Sequence, residues 1–304
     1  MYKNHRIAVV VSTFNDQKYI TRVINDMPEF VDHIIVVDDC STDKTAVAIQ
    51  ATRHPKLIML QTPVQMGMGV ATVMGFRNAQ ELKADVTVRM DGGGLMEPSY
   101  MYILLDAIIE QGYDYAKGRR VYTRASLPTE SSFNAFLSKL ATGYWRVSDP
   151  HNGFVAIRES ALRALDLDLI YRGQHYQSDM LFNLRLGNFR VQDVPMPAPE
   201  RVSEDGSSAA GTNAPKAGLL IKRFFQRLTW TYARTDYSPV PLFLVLGLIL
   251  LVWGVGFGAY HWLTNMLAGT LAPMGIIMFA AVPLLMGFYL LVQAWVLDIH
   301  NSPS

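Results

Sequence analysis

Short β-branched and apolar runs recur through the first two hundred residues, each followed by a segment with apolar residues at helical spacing. Ile7–Val11, His33–Val37, Leu57–Leu60 and Ala84–Met90 read as buried strands. Between them, Gln17–Met27 places Ile20, Val23, Ile24 and Met27 on one helical face, and Ala46–Thr52 and the small-residue-rich Gly67–Leu82 also read as helices. Further on, helices are expected at Tyr100–Gln111, Ser132–Thr142, Glu159–Leu165 and Ser178–Leu186. Strands are expected at Tyr113–Lys117, Phe154–Ile157 and Phe189–Val194, the last closed by Pro195 and Pro197, while Arg119–Ser131 is polar and irregular and reads as a loop. Strands alternating with helices predict an α/β domain around a mostly parallel, doubly wound sheet.

The pattern then changes. Val202–Ala217 shifts to Ser, Gly, Ala, Asn and Pro and reads as a flexible segment. Leu219–Tyr232 mixes Lys222, Arg223, Arg227 and Trp230 with apolar residues, the composition of a helix lying among lipid headgroups. From Tyr237 to Leu297 there is no Asp, Glu, Lys or Arg. That length accommodates two spans of about 20 residues, placed at Val240–Trp262 and Pro273–Val296, with Trp253, Tyr260, Trp262, Tyr289 and Trp295 available for interface belts. The expected organisation is an α/β domain over 1–215, an interfacial helix over 216–236, a two-span hairpin over 237–298 and a tail over 299–304. Lys216, Lys222, Arg223, Arg227 and Arg234 precede the first span, whereas His261–Thr270 has no Lys or Arg. The positive-inside tendency puts the soluble domain and the tail on the cytoplasmic side of a cell inner membrane or its equivalent.

Composition adds three constraints. The chain of 304 residues carries a formal charge of +1, which gives no reason to expect a nucleic-acid partner. Its single cysteine, Cys40, excludes an internal disulfide framework and suits a reducing setting. The start Met1-Tyr-Lys-Asn-His-Arg6 runs into a strand without the apolar core of a secretory leader.

Candidate chemistry gathers at strand ends. Val86-Thr-Val-Arg-Met-Asp91-Gly-Gly-Gly94 presents one carboxylate followed by glycines that allow close approach of a ligand. Asp91 is a candidate ligand for a hard divalent cation bridging phosphate oxygens. In Asp38-Asp39-Cys-Ser41-Thr-Asp43-Lys-Thr45 the adjacent acids suit the donors of a base and of ribose hydroxyls, while Asp43 suits a cap on the helix starting near Thr45. Gly67-Met-Gly69 lacks dinucleotide-fingerprint spacing and reads as a close-packing turn.

Seven motifs, in order, carry a family resemblance: Val9-Val-Val-Ser-Thr-Phe-Asn15, Val37-Asp-Asp-Cys-Ser-Thr-Asp-Lys-Thr45, Gly67-Met-Gly69 with Gly75, Met90-Asp91, Lys117-Gly-Arg119, Asp149-Pro-His-Asn-Gly-Phe154 and Gln177-Ser-Asp179-Met180. Together they resemble the inverting family 2 glycosyltransferases, and among them the dolichol- or polyprenyl-phosphate sugar synthases with a two-helix hairpin. The resemblance implies a GT-A fold and transfer of a hexose from a nucleotide-diphosphate sugar to a polyprenyl phosphate, with Mg²⁺ or Mn²⁺ as cofactor. Thr13, Asn15, Asp38, Asp39, Ser41, Gly69, Asp91 and Gly92 would bind the nucleotide sugar, with Asp91 holding the cation. Arg119 would meet phosphate, Gln177 and Asp179 would lie near sugar and acceptor, and Asp149 and Asn152 would shape the sugar pocket. A homo-oligomer is compatible with this reading.

The chain departs from the family pattern at three places. The second acid of Asp-x-Asp is replaced by Gly93. Glu130-Ser131-Ser132-Phe-Asn134 stands where many members have a basic pair, and Glu200-Arg-Val-Ser-Glu-Asp-Gly-Ser207 contains Arg201 as its one basic residue. These departures support an alternative, a catalytically weak or inactive relative acting as a binding or scaffold protein.

Overall fold

The computed structural model describes residues 1–121, 139–145, 147, 152–173, 176–197, 217–234 and 238–301. Among them, seven strands form one sheet: β1 (Ile7–Thr13), β2 (His33–Asp38), β3 (Leu57–Gln61), β4 (Val86–Asp91), β5 (Tyr115–Val121), β6 (Val155–Arg158) and β7 (Val191–Pro197). Their order is β3-β2-β1-β4-β6-β5-β7, with β6 antiparallel to both neighbours and every other pairing parallel. The expected mostly parallel sheet is therefore present.

β1, buried at every position, runs down the centre of this sheet because it has a helical layer to meet on each face. Ile7, Val9 and Val11 join Ile20, Val23 and Ile24 of α1 (Ile20–Asn25) and Met101, Leu104 and Leu105 of α4 (Met101–Ile109) in one core. Ala8 and Val10 join Ala71, Phe76 and Ala79 of α3 (Met68–Glu81) in the other. Further helices among the described residues include α2 (Thr45–Ala51), α5 (Glu159–Ala164) and α6 (Tyr176–Leu186).

Two expectations are corrected here. The strand Tyr113–Lys117 continues outward, so Arg119–Val121 belongs to β5 rather than to a loop. Pro195 and Pro197 do not close the last strand but lie within β7, opposite Arg119 and Val121. β7 pairs on one side only, and an edge strand tolerates residues without a backbone N–H. Asp149, Glu130–Asn134, the Glu200–Ser207 segment with Arg201, and Lys216 lie outside the described residues, and of the expected helix Ser132–Thr142 only 139–142 are described as helical.

The chain divides into two compact units, Met1–Phe224 and Phe225–Ser302. α7 (Ala217–Arg234) contributes residues to both. In the second unit, α8 (Val240–Ala268) and α9 (Met274–His300) are long and apolar enough to cross a membrane. Both exceed the spans read from sequence, and α8 ends at Gly269, whose left-handed φ of 67° lets the chain leave the helix. The helices meet at small residues: a Cβ on Gly254 would lie 2.7 Å from the Leu284 nitrogen, and one on Gly287 would lie 2.6 Å from the Leu251 nitrogen. Such residues let backbones approach where apolar burial supplies no driving force. In the same unit, buried Arg227 forms a bidentate pair with Asp298, at 2.7 and 2.9 Å, and Tyr232 Oη donates to Asp298 Oδ1 at 2.7 Å.

Gly256, by contrast, faces open space: a Cβ there would meet nothing within 4 Å. Gly254→Leu is therefore expected to destabilise the hairpin by about 1–3 kcal/mol through overpacking, whereas Gly256→Leu leaves it near wild type. Unfolding of the two full-length variants in detergent checks this contrast.

Candidate active site

The strand register assembles the site. Thr13 at the end of β1 is paired with Asp38 at the end of β2, and Ser12 is paired with Asp91 at the end of β4. β1 is where the connections reverse direction across the sheet, and ligands of open α/β sheets bind at the carboxyl ends flanking such a point. Because β6 runs antiparallel, its entry segment Asn152-Gly153-Phe154 reaches the same edge, next to Arg89 through Val155.

On the β2 side the acids are committed to the protein. Asp38 Oδ1 accepts the Ser41 N–H at 3.2 Å and its hydroxyl, and Oδ2 accepts from Gln61 Nε2 at 3.0 Å. Asp39 Oδ1 accepts from Thr62 Oγ1 at 3.0 Å and from the Met66 N–H at 2.9 Å, while Oδ2 accepts the Gly67 N–H at 2.8 Å. Both carboxylates are buried. A carboxylate has about four lone-pair positions, so each retains capacity for one further donor. Asn15, in the left-handed region at φ 58°, folds its own loop: its N–H meets Ser41 Oγ at 2.9 Å and its Oδ1 accepts the Thr42 N–H at 2.8 Å. Asp43 Oδ1 accepts the Thr45 N–H at 2.9 Å, which satisfies a donor at the start of α2.

At the β4 tip, side chains alternate across the sheet, so Arg89 and Asp91 share a face. Arg89 is fully buried; its Nη2 lies 2.5 Å from Asp91 Oδ1, its Nη1 donates to the Gly153 carbonyl at 3.1 Å, and its guanidinium lies over the Tyr176 ring at 5.2 Å. Burial is the largest single influence and pulls the Arg89 pKa down, but the charge and hydrogen bond of Asp91 together with Tyr176 and Tyr115 outweigh it and hold the group above its ordinary value. Asp91 itself keeps 30% of its side chain exposed. Gly92 closes this corner: a Cβ there would lie 2.7 Å from Thr13 Oγ1 and 3.0 Å from Asp16 Oδ2. Asp16 accepts from Thr13 Oγ1 at 2.7 Å, and burial, opposed by the Thr13 and Phe14 hydrogen bonds and aided by the charge of Asp91, raises its pKa.

On the far side, buried Lys117 donates to the Asn152 carbonyl, and Asn152 Oδ1 accepts the Phe154 N–H at 3.0 Å. Arg119 follows on β5, partly exposed, with a buried Nε that has no hydrogen-bond partner. The Gly67-Met-Gly69 turn is a packing device: the Gly69 N–H donates to the Arg172 carbonyl at 3.1 Å, and a Cβ on Gly69 would lie 2.2 Å from the Tyr171 carbonyl. Gln177 and Asp179 fall in the first turns of α6. Asp179, 7% exposed, pairs with Arg223 at 2.6 Å through Oδ1 and accepts the Tyr171 N–H at 3.0 Å through Oδ2. Burial raises its pKa against the opposing pull of Arg223.

Among the described residues no three His, Cys, Asp or Glu side chains form a ready-made metal cluster. Asp91, partly exposed at the tip of β4, is the carboxylate here that could help hold a divalent cation, which would need further ligands from outside the protein. Arg89, Asp16 and Arg223 were absent from the sequence-derived site. For Arg89 the signal was available, since a charged residue two positions before Asp91 must share its face; the Arg223 contact joins residues far apart in the chain.

The family pattern described as "Glycosyl transferase family 2" matches residues 8–166. The chain is 26% identical over 231 residues to a UDP-N-acetylglucosamine–dolichyl-phosphate N-acetylglucosaminyltransferase of Methanococcus voltae, covering 68% of this chain and 90% of that protein. It is 28% identical over 218 residues to an undecaprenyl-phosphate mannosyltransferase of Micrococcus luteus, covering 68% and 88%. Among solved structures it resembles glucosyl-3-phosphoglycerate synthase of Mycobacterium tuberculosis crystallised with Mn²⁺, UDP and phosphoglyceric acid, with a TM-score of 0.54, 21% identity, and coverage of 74% of this chain and 78% of that one. That likeness establishes the GT-A-like fold.

Asp39→Asn turns an amide nitrogen toward backbone N–H donors, so a loss of about 1–3 kcal/mol is expected for the unsatisfied groups. Asp168→Asn, at a surface pair with Arg77 where Asp168 is 82% exposed, is expected to change stability by no more than about 0.5 kcal/mol. Denaturant unfolding of the two variants measures the difference.

Proposed function

Since the chain belongs to glycosyl transferase family 2 and is a glycosyltransferase, we propose that it transfers a hexose from a nucleotide-diphosphate sugar to a polyprenyl phosphate, with inversion. The observation that supports this most directly is the convergence of Thr13, Asp38 and Asp91 on one sheet edge in a chain that also carries two helices fit to anchor it in a membrane. In this reading an oxygen of the acceptor phosphate attacks the anomeric carbon. The bond from that carbon to the diphosphate oxygen breaks, and the nucleoside diphosphate leaves with the electron pair. A single displacement inverts the configuration.

A phosphate monoester is already ionised near neutral pH, so the enzyme's work is orientation and stabilisation of charge on the leaving group. Asp38, Ser41 and Asn15 shape the nucleoside end. Gly92 lets the tip of β4 pack against Thr13 and Asp16, and Arg119 offers a guanidinium to phosphate. Asp91 would hold a divalent cation, which when bound neutralises charge on the diphosphate. The buried Arg89 pairs with the Asp91 carboxylate and aims it. Gln177 lines the sugar side. The site faces the cytoplasm in this reading, which the basic residues preceding the first span support.

Gly93 in the place of the second acid favours a second reading, a weakly active or inactive binding protein. Full-length protein incubated with UDP-, GDP- and CDP-linked sugars, polyprenyl phosphate and Mg²⁺ or Mn²⁺ distinguishes the two. A labelled sugar-lipid of inverted anomeric configuration, abolished by a chelator, is the expected product. Asp91→Asn is expected to lower its rate by about 10²–10³-fold, as for loss of a group facing developing charge. Gly93→Asp is expected to reduce the metal concentration needed for half-maximal rate. Nucleotide binding without any sugar-lipid would establish the second reading instead.

A further inference from the structure

Asp179 is the acid nearest the acceptor side in the family resemblance, yet it is not poised as a base. One oxygen is taken by the Tyr171 N–H, the other by Arg223 at 2.6 Å, and the side chain is 7% exposed. Its partner is placed differently. Arg223 retains 30% exposure, and its guanidinium lies over the Phe182 ring at 4.6 Å. A buried carboxylate and an aromatic face thus hold a half-exposed guanidinium in a fixed plane. The pair engages Nη2, and a guanidinium carries five N–H donors in a rigid fork that matches phosphate oxygens.

We propose that Arg223 receives the phosphate monoester of the acceptor lipid, and that Asp179 acts through it as a positioning residue. The proposal rests on the reading of a polyprenyl phosphate as acceptor. It places the acceptor's charge on the basic-aromatic helix α7 and removes the need for a carboxylate base: the attacking phosphate oxygen is already deprotonated, and the guanidinium orients it without accepting a proton.

The test measures binding of phytanyl phosphate to the full chain in detergent, beside phytanol, inorganic phosphate and phosphatidylglycerol, for wild type, Arg223→Gln and Arg223→Lys. Loss of a charge-assisted phosphate contact is expected to weaken phytanyl phosphate binding by at least about tenfold in Arg223→Gln, with Arg223→Lys intermediate. Nucleoside-diphosphate binding should stay unchanged, which also shows that the variants are folded. In turnover, the KM for the lipid phosphate rises while the donor KM does not. Equal phytanyl phosphate binding by wild type and Arg223→Gln, parallel loss of nucleotide binding, or equal wild-type affinity for phosphatidylglycerol overturns the proposal. A protein that binds phytanyl phosphate through Arg223 but makes no sugar-lipid refutes the transfer reading and leaves this assignment standing. Normal transfer with an unaltered acceptor KM in Arg223→Gln does the reverse.

Discussion

A guanidinium sealed inside a protein must find a countercharge and acceptors, because removing an ion from water costs several kcal/mol even after relaxation. Arg89 meets that requirement with Asp91 on its own strand and with the Gly153 carbonyl at the entry to β6. One buried side chain therefore joins the tip of β4 to the segment that closes the opposite side of the site. It makes a small residue obligatory at one position, and Thr13 does the same at a second. A Cβ on Gly153 would lie 1.9 Å from Arg89 Nη1, and one on Gly92 would run into Thr13. The glycines that in sequence offer room to a ligand are occupied first by the protein's own packing.

The β2 side follows the same logic with opposite charge. Asp38 and Asp39 are buried acceptors, and their oxygens draw in Ser41, Gln61, Thr62, Met66 and Gly67. Hydrogen bonds to ionised carboxylates are stronger than neutral ones, so the loops after β2 and β3 are fixed before any nucleotide arrives. Such preorganisation leaves less ordering to be done on binding. The two acids form a wall of the candidate site, held by the protein's own donors.

The C-terminal unit handles charge by pairing as well. Arg227, Tyr232 and Asp298 satisfy one another in a buried cluster, while Gly247, Gly254 and Gly287 line the contact between α8 and α9. Asp298 directly follows the long uncharged stretch, and only its partners explain how a carboxylate is tolerated at a buried position there.

Sequence by itself determined the alternation of strands and helices, the mostly parallel sheet, the gathering of acids at strand ends and the two apolar spans, because these follow from periodicity and from turn and membrane chemistry local to each segment. Element ends were less legible: β5 runs on to Val121 and β7 through Pro195 because each strand is extended by the other's pairing, which no local signal encodes. The seven motifs marked the candidate site, but their spacing gave no view of which carboxylates were already engaged. That Asp39 clamps a loop and that Asp179 holds Arg223 were decided by tertiary structure alone, whereas the shared face of Arg89 and Asp91 follows from their spacing on one strand. The partners of each pair beyond Arg89 and Asp91 are distant in the chain, and burial, which sets the strength of their interaction, exists only once the layers have packed.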